Sequence, residues 1–596
     1  MSRPAYYTPS KLDSFGDNHL DLERGRPLHP SRSHAQKVRR AVFVAGFVAL
    51  LLLSTITLKS AFQSPHSTNA TTNNAQRIQG PKLYKHAAVS SEVPVCSTIG
   101  KKLLKAGGSA VDAAIGTSLC VGSINSFASG IGGGGFMLIR NVSGHSLVID
   151  FREVAPAAIS ESMFKSNPLK SQIGGLAVGV PGELRGYELA HRKFGKLPWA
   201  RILEPIVALN ADGFQVPSAL AARLKYNEEW IMASPIWRAV FAPQGQLVSQ
   251  GALVKRPAYA RTLRDVAHRG AQAFYTGSIA RSLVDAIRGE GGVMSMRDLA
   301  GYRVEERKPV ESSYKGNKVI SVGAPASGHV LLHMLNIMEG YEFSKDGAAA
   351  VDYHRMVEAM RYGFARRSEL GDPAFLKIDG RLDQILSKDE AAAARRNLSD
   401  STTYPPEHYQ PKYANAPSHG TTHLSVVDEN GMAVAVTTTV NLLFGSHIMD
   451  KKTGVILNNQ IDDFSFNNTS NAFGFPPSPS NFIKPFKRPM SSMSPTMVEK
   501  DGRVMLVLGG SGGSRIISSV FQTILKLLEF NWSITESVTA PRLHDQLYPD
   551  RTDVEDGFSA AISSDLAAKK HKLRFLPVGQ YESVVQAIAR TDKGEW

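Results

Sequence analysis

The chain has 596 residues, 42% of them hydrophobic and 20% charged, which suits a large buried core and excludes a disordered tail or a small disulfide scaffold. Lys and Arg outnumber Asp and Glu by 68 to 53, a net charge of +15, but the basic residues are dispersed. The densest basic run, Lys569 to Arg574, holds four of them without interleaved aromatics, so the pattern describes a solvated surface and speaks against nucleic acid as a partner.

The first strong feature along the chain is Ala41 to Leu58, 18 residues without a charge. As a helix it extends about 27 Å, enough to cross a bilayer core. The forty residues before it carry eight Lys or Arg against four acids, with Lys37, Arg39 and Arg40 beside the span. That asymmetry predicts a single-pass type II membrane protein, with a cytosolic tail at 1–40, a signal anchor at 41–58 and a flexible stem at 59–85. The remainder then faces the lumen of a vacuole or lysosome, or the exterior at the plasma membrane. Asn-x-Ser/Thr acceptors at Asn69, Asn141, Asn397, Asn467, Asn468 and Asn531 suit that side of a membrane. The only cysteines, Cys96 and Cys120, are open to two readings, one disulfide or two separate buried thiols.

From Val95 to Val121 the apolar spacing predicts two short helices broken at Gly107-Gly108. Phe136 to Ile139 and Leu147 to Phe151 read as strands around a turn at Ser143-Gly144. Leu197 to Arg396 reads as mostly helical. Beyond the polar loop Ser401 to Gly420, Leu424 to Val427 and Met432 to Val440 flank Glu429-Asn430-Gly431 and predict a hairpin. Val504 to Leu508 predicts a strand that enters the cluster Gly509-Gly510-Ser511-Gly512-Gly513, with a helix from Ser514 to Phe530 after it. Helices surrounding strands in both halves imply a layered α/β core.

Three motifs compete for a functional role. Gly130 to Gly135 satisfies a dinucleotide fingerprint, but a strand follows it where a helix is required, so close backbone packing is the better reading. The Gly509 cluster satisfies a nucleophile elbow centred on Ser511, with Asp556 and His571 downstream in the order an α/β-hydrolase requires. Its glycines can equally aim backbone amides at an anion or a developing oxyanion. The third motif is Thr421-Thr422-His423-Leu424-Ser425, directly after Gly420.

That third segment, with several others, resembles the gamma-glutamyltransferases (glutathione hydrolases) among the N-terminal nucleophile hydrolases. The resemblance extends over Val89 to Gln586. It rests on Val95-Cys96-Ser97, Gly107 to Ala114, Gly130 to Gly134, Asp150-Phe151-Arg152-Glu153, Gly179-Val180-Pro181-Gly182, Thr439-Val440-Asn441, Leu457 to Phe464, Arg488 to Pro495 and Gly512-Gly513-Ser514. It implies a four-layer αββα sandwich and a precursor cut between Gly420 and Thr421 into a large subunit at 86–420 and a small catalytic subunit at 421–596. It also implies a disulfide between Cys96 and Cys120, as in the family's animal members.

The implied chemistry is coherent. A threonine hydroxyl is a poor nucleophile unless a base lies beside it, and the cut supplies the α-amino group of Thr421, with a reference pKa of about 7.7 to 8.0. By resemblance, Thr439 bonds to the nucleophile, and the amides of Gly512 and Gly513 stabilise the oxyanion. The expected substrates are glutathione and other γ-glutamyl compounds, with water, an amino acid or a dipeptide as acceptor. The carboxylate of the γ-glutamyl group is expected on Arg152, Ser491 and Ser492, and its ammonium on Asp463, Gln460 and Asn441, with Thr439 and Gly513 also lining the site. Many family members carry Glu where this chain has Gln460. His423 is expected to be a strand residue with no catalytic task. No metal-ligand cluster is visible in the sequence, and the chemistry asks for no cofactor. Two other readings stand beside this one: a serine esterase built on Ser511, and a non-catalytic lumenal interaction protein.

Overall fold

The structure is a computed structural model that describes residues 83–344, 349–413, 420–467, 476–579 and 582–596. The membrane span expected at 41–58, the cytosolic tail and the acceptors Asn69 and Asn468 lie outside the described residues. Among those described, no helix is long and apolar enough to cross a membrane. Asn397, Asn467 and Asn531 are exposed, and Asn141 is partly so.

Eleven strands build two stacked antiparallel sheets: β1 Ala88–Ser91, β2 Gly134–Arg140, β3 Ser146–Asp150, β4 Glu305–Arg307, β5 Val310–Tyr314, β6 Asn317–Ser321, β7 Thr422–Val427, β8 Ala433–Thr439, β9 Thr496–Lys500, β10 Arg503–Ser511 and β11 Val584–Ala589. The first sheet runs β1-β7-β8-β2-β3-β4 and the second β11-β10-β9-β6-β5. Alternate side chains leave each strand on opposite faces. Phe136, Leu138, Val427 and Ala435 therefore meet Met497, Val507 and Ile588 between the sheets. Met137, Ile139, Val426, Val434 and Val436 point the other way, into a core shared with helices α1 Pro94–Lys105 and α2 Ala110–Ile124. On the far side, α3 Gly328–Met338 and α5 Arg515–Glu529 cover the second sheet, and α4 Ala350–Arg367 packs on α3. The result is the expected αββα sandwich. Because both faces of the central strands are covered, β2, β7 and β8 are buried at every position and read as apolar or small-residue runs rather than as an in-out alternation.

Local signals place the helices around the first sheet. α1 ends at Lys105, Gly107 takes φ +90°, and Ser109 caps α2 by accepting from the Asp112 amide (3.2 Å) while Asp112 accepts from the Ser109 amide (2.9 Å). Cys96 of α1 and Cys120 of α2 form a disulfide with their Cα atoms 5.3 Å apart, which settles the two readings of that pair. The hairpin β7-β8 pairs Val427 with Ala433 across a turn in which Gly431 has φ +84°. The stretch Leu197 to Arg396 is mostly helical, as expected, and β4, β5 and β6 also lie within it and supply edge strands to both sheets.

Candidate active site

Thr421 lies immediately before β7. Its hydroxyl oxygen accepts from the Gly512 amide at 3.2 Å. Gly512 opens the turn between β10 and α5 with φ +121°, and a Cβ there would lie 2.3 Å from the Glu582 carbonyl oxygen, so only glycine can present that amide. Gly513 follows with φ +60°. Thr439, the last residue of β8, donates its hydroxyl to the Gly420 carbonyl at 2.6 Å and accepts from the Asn441 amide at 2.7 Å. The direction is fixed by chemistry: a carbonyl can only accept, and the Asn441 N–H can only donate. The carbonyl that joins Gly420 to Thr421 is thus polarised by one neighbouring hydroxyl. Gly420 itself has φ +34°, and a Cβ would approach the Asn441 carbonyl oxygen to 2.3 Å.

The Gly130 to Gly135 cluster finds its purpose here. A Cβ on Gly133 would stand 1.9 Å from the Thr439 carbonyl oxygen, so the missing side chain lets β2 close on the end of β8 and seat Thr439. The packing reading of these glycines holds. His423 also behaves as expected. It is buried between the sheets against Gly509, bonds to Thr437 Oγ1 (2.8 Å) and Ser425 Oγ (3.1 Å), and burial brings its pKa down to about 3.

A second cluster brings together the residues expected to hold a free amino acid. Arg152 Nη2 donates to Asp463 Oδ2 at 2.5 Å and to the Met490 carbonyl at 3.0 Å, and Gln460 Nε2 donates to the same Asp463 oxygen at 2.6 Å. Burial pushes the Asp463 carboxyl up, while the Arg152 guanidinium draws it back down. Ser491 Oγ accepts from the Met493 amide (3.2 Å), and Ser492 Oγ accepts from Arg367 (2.8 Å). In both contacts the hydroxyl oxygen accepts, so its proton is not engaged by them. Asn441, at φ +75°, donates its side-chain amide to the Asn459 carbonyl at 3.1 Å, which leaves its oxygen end as the part able to meet an ammonium. Arg152 is not held ready as an open fork, because Asp463 already occupies one of its donors.

The family model Gamma-glutamyltranspeptidase matches residues 96–596 of this sequence. The chain belongs to that family. It is 42% identical over 515 residues to glutathione hydrolase proenzyme 1 of Schizosaccharomyces pombe, an alignment covering 85% of this chain and 82% of the relative. Among solved structures, gamma-glutamyltranspeptidase of Helicobacter pylori matches with TM-score 0.52 and 33% identity over 54% of this chain and 94% of that one. A cephalosporin acylase of Bacillus halodurans matches with TM-score 0.77 at 24% identity, over 89% of this chain and 96% of that one, and testifies to the fold alone. In this chain the two clusters are linked through Thr439-Val440-Asn441: Thr439 bonds to the Gly420 carbonyl, and Asn441 bonds to the carbonyl of Asn459, the residue before Gln460.

The esterase reading loses its triad. His571 bonds to His354 at 2.8 Å, Asp556 accepts from the Gly579 amide at 3.3 Å, and nothing in these contacts directs either residue to Ser511. Three residues of the site escaped the sequence reading. Arg367 lies at the end of α4, is held down to about 10 by burial, and reaches Ser492. Its neighbours in an Ala- and Arg-rich helix give it no distinguishing spacing. Asn459 holds the Asn441 turn by accepting from the Leu442 amide at 2.9 Å, and it was visible only as part of the Leu457 to Phe464 block. Glu153 follows Arg152 in sequence. Both of its oxygens are buried without a hydrogen-bond partner, its nearest cation is Arg152 Nη1 at 3.8 Å, and burial pushes its carboxyl up to about 8.

Proposed function

We propose that this chain is a γ-glutamyl hydrolase and transpeptidase that matures by cutting itself between Gly420 and Thr421. The observation that carries this reading is the Thr439 hydroxyl bonded to the Gly420 carbonyl, next to a Thr421 hydroxyl bonded to Gly512. In maturation, Thr421 Oγ attacks the Gly420 carbonyl carbon and the C–N bond breaks. The Thr421 nitrogen takes up the hydroxyl's proton and becomes a free amine, leaving Gly420 as an ester on Oγ. Water then hydrolyses that ester and releases the Gly420 carboxylate.

The freed amine is the base for every later turnover. It takes the hydroxyl proton as Oγ attacks the γ-carbonyl of glutathione or another γ-glutamyl amide, and it returns a proton to the departing amine. Water or the amino group of an amino acid or dipeptide resolves the γ-glutamyl ester. Arg152, Ser491 and Ser492 receive the donor's α-carboxylate, while Asp463, Gln460 and Asn441 receive its ammonium. The Gly512 and Gly513 amides carry the oxyanion. The relatives named glutathione hydrolase support this substrate class.

We further read 41–58 as a signal anchor that leaves the catalytic part lumenal or extracellular. Protease protection of sealed microsomes tests this, and digestion of the catalytic part in intact vesicles would overturn it. The activity is tested by release of p-nitroaniline from γ-glutamyl-p-nitroanilide together with N-terminal sequencing of the shorter polypeptide. A first residue other than Thr421 would refute the proposed nucleophile.

A further inference from the structure

His354 and Glu358 stand four residues apart on α4 and therefore on one face of the helix. His571, which is 217 residues from His354 in sequence, meets them from the segment after the helix Ala560–Ala568. His354, Glu358 and His571 are buried, and one donor atom from each lies within 4.8 Å of the others. His354 Nδ1 and His571 Nε2 are 2.8 Å apart, and His571 Nε2 is 4.0 Å from Glu358 Oε1.

The surroundings orient these atoms. His354 Nε2 lies 2.7 Å from the Ser399 carbonyl, which can only accept, so that nitrogen carries the proton and Nδ1 presents a bare lone pair. Glu358 is held at both oxygens, by the Thr403 hydroxyl at 2.6 Å and the Tyr409 hydroxyl at 2.8 Å. His571 Nδ1 is buried without a hydrogen-bond partner. An imidazole fixed through its second nitrogen, as in His354, and a carboxylate fixed by hydroxyls, as in Glu358, are outer-sphere supports typical of a metal ligand set, whereas the second nitrogen of His571 has no such support.

We propose that His354 Nδ1, His571 Nε2 and Glu358 form a binding site for one divalent transition-metal ion, with Zn2+ the best match. Two imidazoles and a carboxylate suit Zn2+, with water as a fourth ligand. At Zn–N distances of about 2.0 to 2.1 Å, tetrahedral ligand atoms lie about 3.3 Å apart. The nitrogen pair has to open slightly and the carboxylate to close slightly, which small side-chain rotations accomplish. On binding, the proton on His571 Nε2 moves to Nδ1, so both histidines ligate as neutral rings. The ion would fasten the part of the chain before Gly420 to the part after it. Its role is structural, because it binds near the start of α4 whereas Arg367 reaches the amino-acid pocket from the other end. The sequence hides the site because its third ligand is remote.

The test uses the full-length protein without a histidine tag, stripped with chelator and then titrated with Co2+. About one Co2+ per chain with the visible ligand-field bands of a tetrahedral ion is expected. Added Zn2+ should bleach those bands, and His571→Ala or Glu358→Gln should abolish them. Absence of the bands and of Zn2+ uptake in folded wild-type protein would overturn the proposal even if the variants misfold. So would binding by folded variants that matches wild type.

Discussion

Arg152 and Asp463 are joined to each other at 2.5 Å, although they are the two residues proposed here to hold opposite ends of the same substrate. A zwitterionic amino acid offers its carboxylate to Arg152 and its ammonium to Asp463. Binding therefore exchanges one buried ion pair for two. The exchange leaves both Arg152 and Asp463 paired at either stage, which lowers the desolvation cost of the empty pocket. It also makes the two residues interdependent.

Arg152→Lys retains the charge and removes the planar fork. Loss of a two-point contact to a charged group is worth about 1.5 to 3 kcal/mol, so KM for γ-glutamyl-p-nitroanilide should rise about tenfold to a hundredfold, with kcat much less affected. Because the pair acts as a unit, Arg152→Lys combined with Asp463→Asn should cost less than the sum of the single changes. Steady-state kinetics of the four proteins measure both, and additive losses would show that the residues act separately.

Thr421→Ala should remain one uncut polypeptide on a denaturing gel and release no p-nitroaniline. Thr439→Val removes the side-chain donor on the Gly420 carbonyl while keeping the shape. A donor aimed at a developing oxyanion is worth about 2.7 to 4 kcal/mol, so the cut should slow by about a hundredfold to a thousandfold in a time course followed by intact mass. Ser511→Ala should be processed and active like wild type, and an inactive but processed Ser511→Ala protein would revive the esterase reading.

Glu153 gives a pH dependence. Its carboxyl is raised from 4.5 to about 8 by burial, so the folded protein binds this proton more tightly than the unfolded chain does. The associated stability is present in full below about pH 4.5 and is lost as pH rises through about 8. Glu153→Gln stays neutral throughout. Its melting temperature should decline less steeply than that of wild type across this window, and parallel curves would show that Glu153 is ionised in the folded state.

Replacing both Cys96 and Cys120 by serine removes a crosslink spanning 24 residues, worth about 3.5 kcal/mol on the loop-entropy model. The thermal transition should move down by several degrees under oxidising conditions. Wild type in reductant should approach the double variant.

What the sequence made legible was local. The β7-β8 hairpin has its turn residues between its strands, α5 has an apolar stripe, and the glycines at 107–108 and 512–513 stand where the backbone needs them. The strands between Glu305 and Ser321 were not legible, because Val310-Glu311-Ser312-Ser313-Tyr314 carries polar residues along a sheet edge inside a mostly helical region. The partners of Arg152 were hidden for another reason. Sequence shows which charged residues exist, but the pairing of Arg152 with a carboxylate 311 positions away is a product of folding. Arg367, Glu153 and the His354 cluster belong to the same class.

The position of β7 has a consequence for how the protein must be made. This strand begins one residue after the proposed cut, yet it is inserted between β1 and β8, and β10 likewise reaches β6 and β5 only through β9. Polypeptide from both sides of Gly420 is thus woven into each sheet. Two halves synthesised apart would each expose bare sheet edges and should aggregate before they could meet. Severing the chain is consequently a step that can only follow folding, and the intact precursor serves as the template for its own two-piece product.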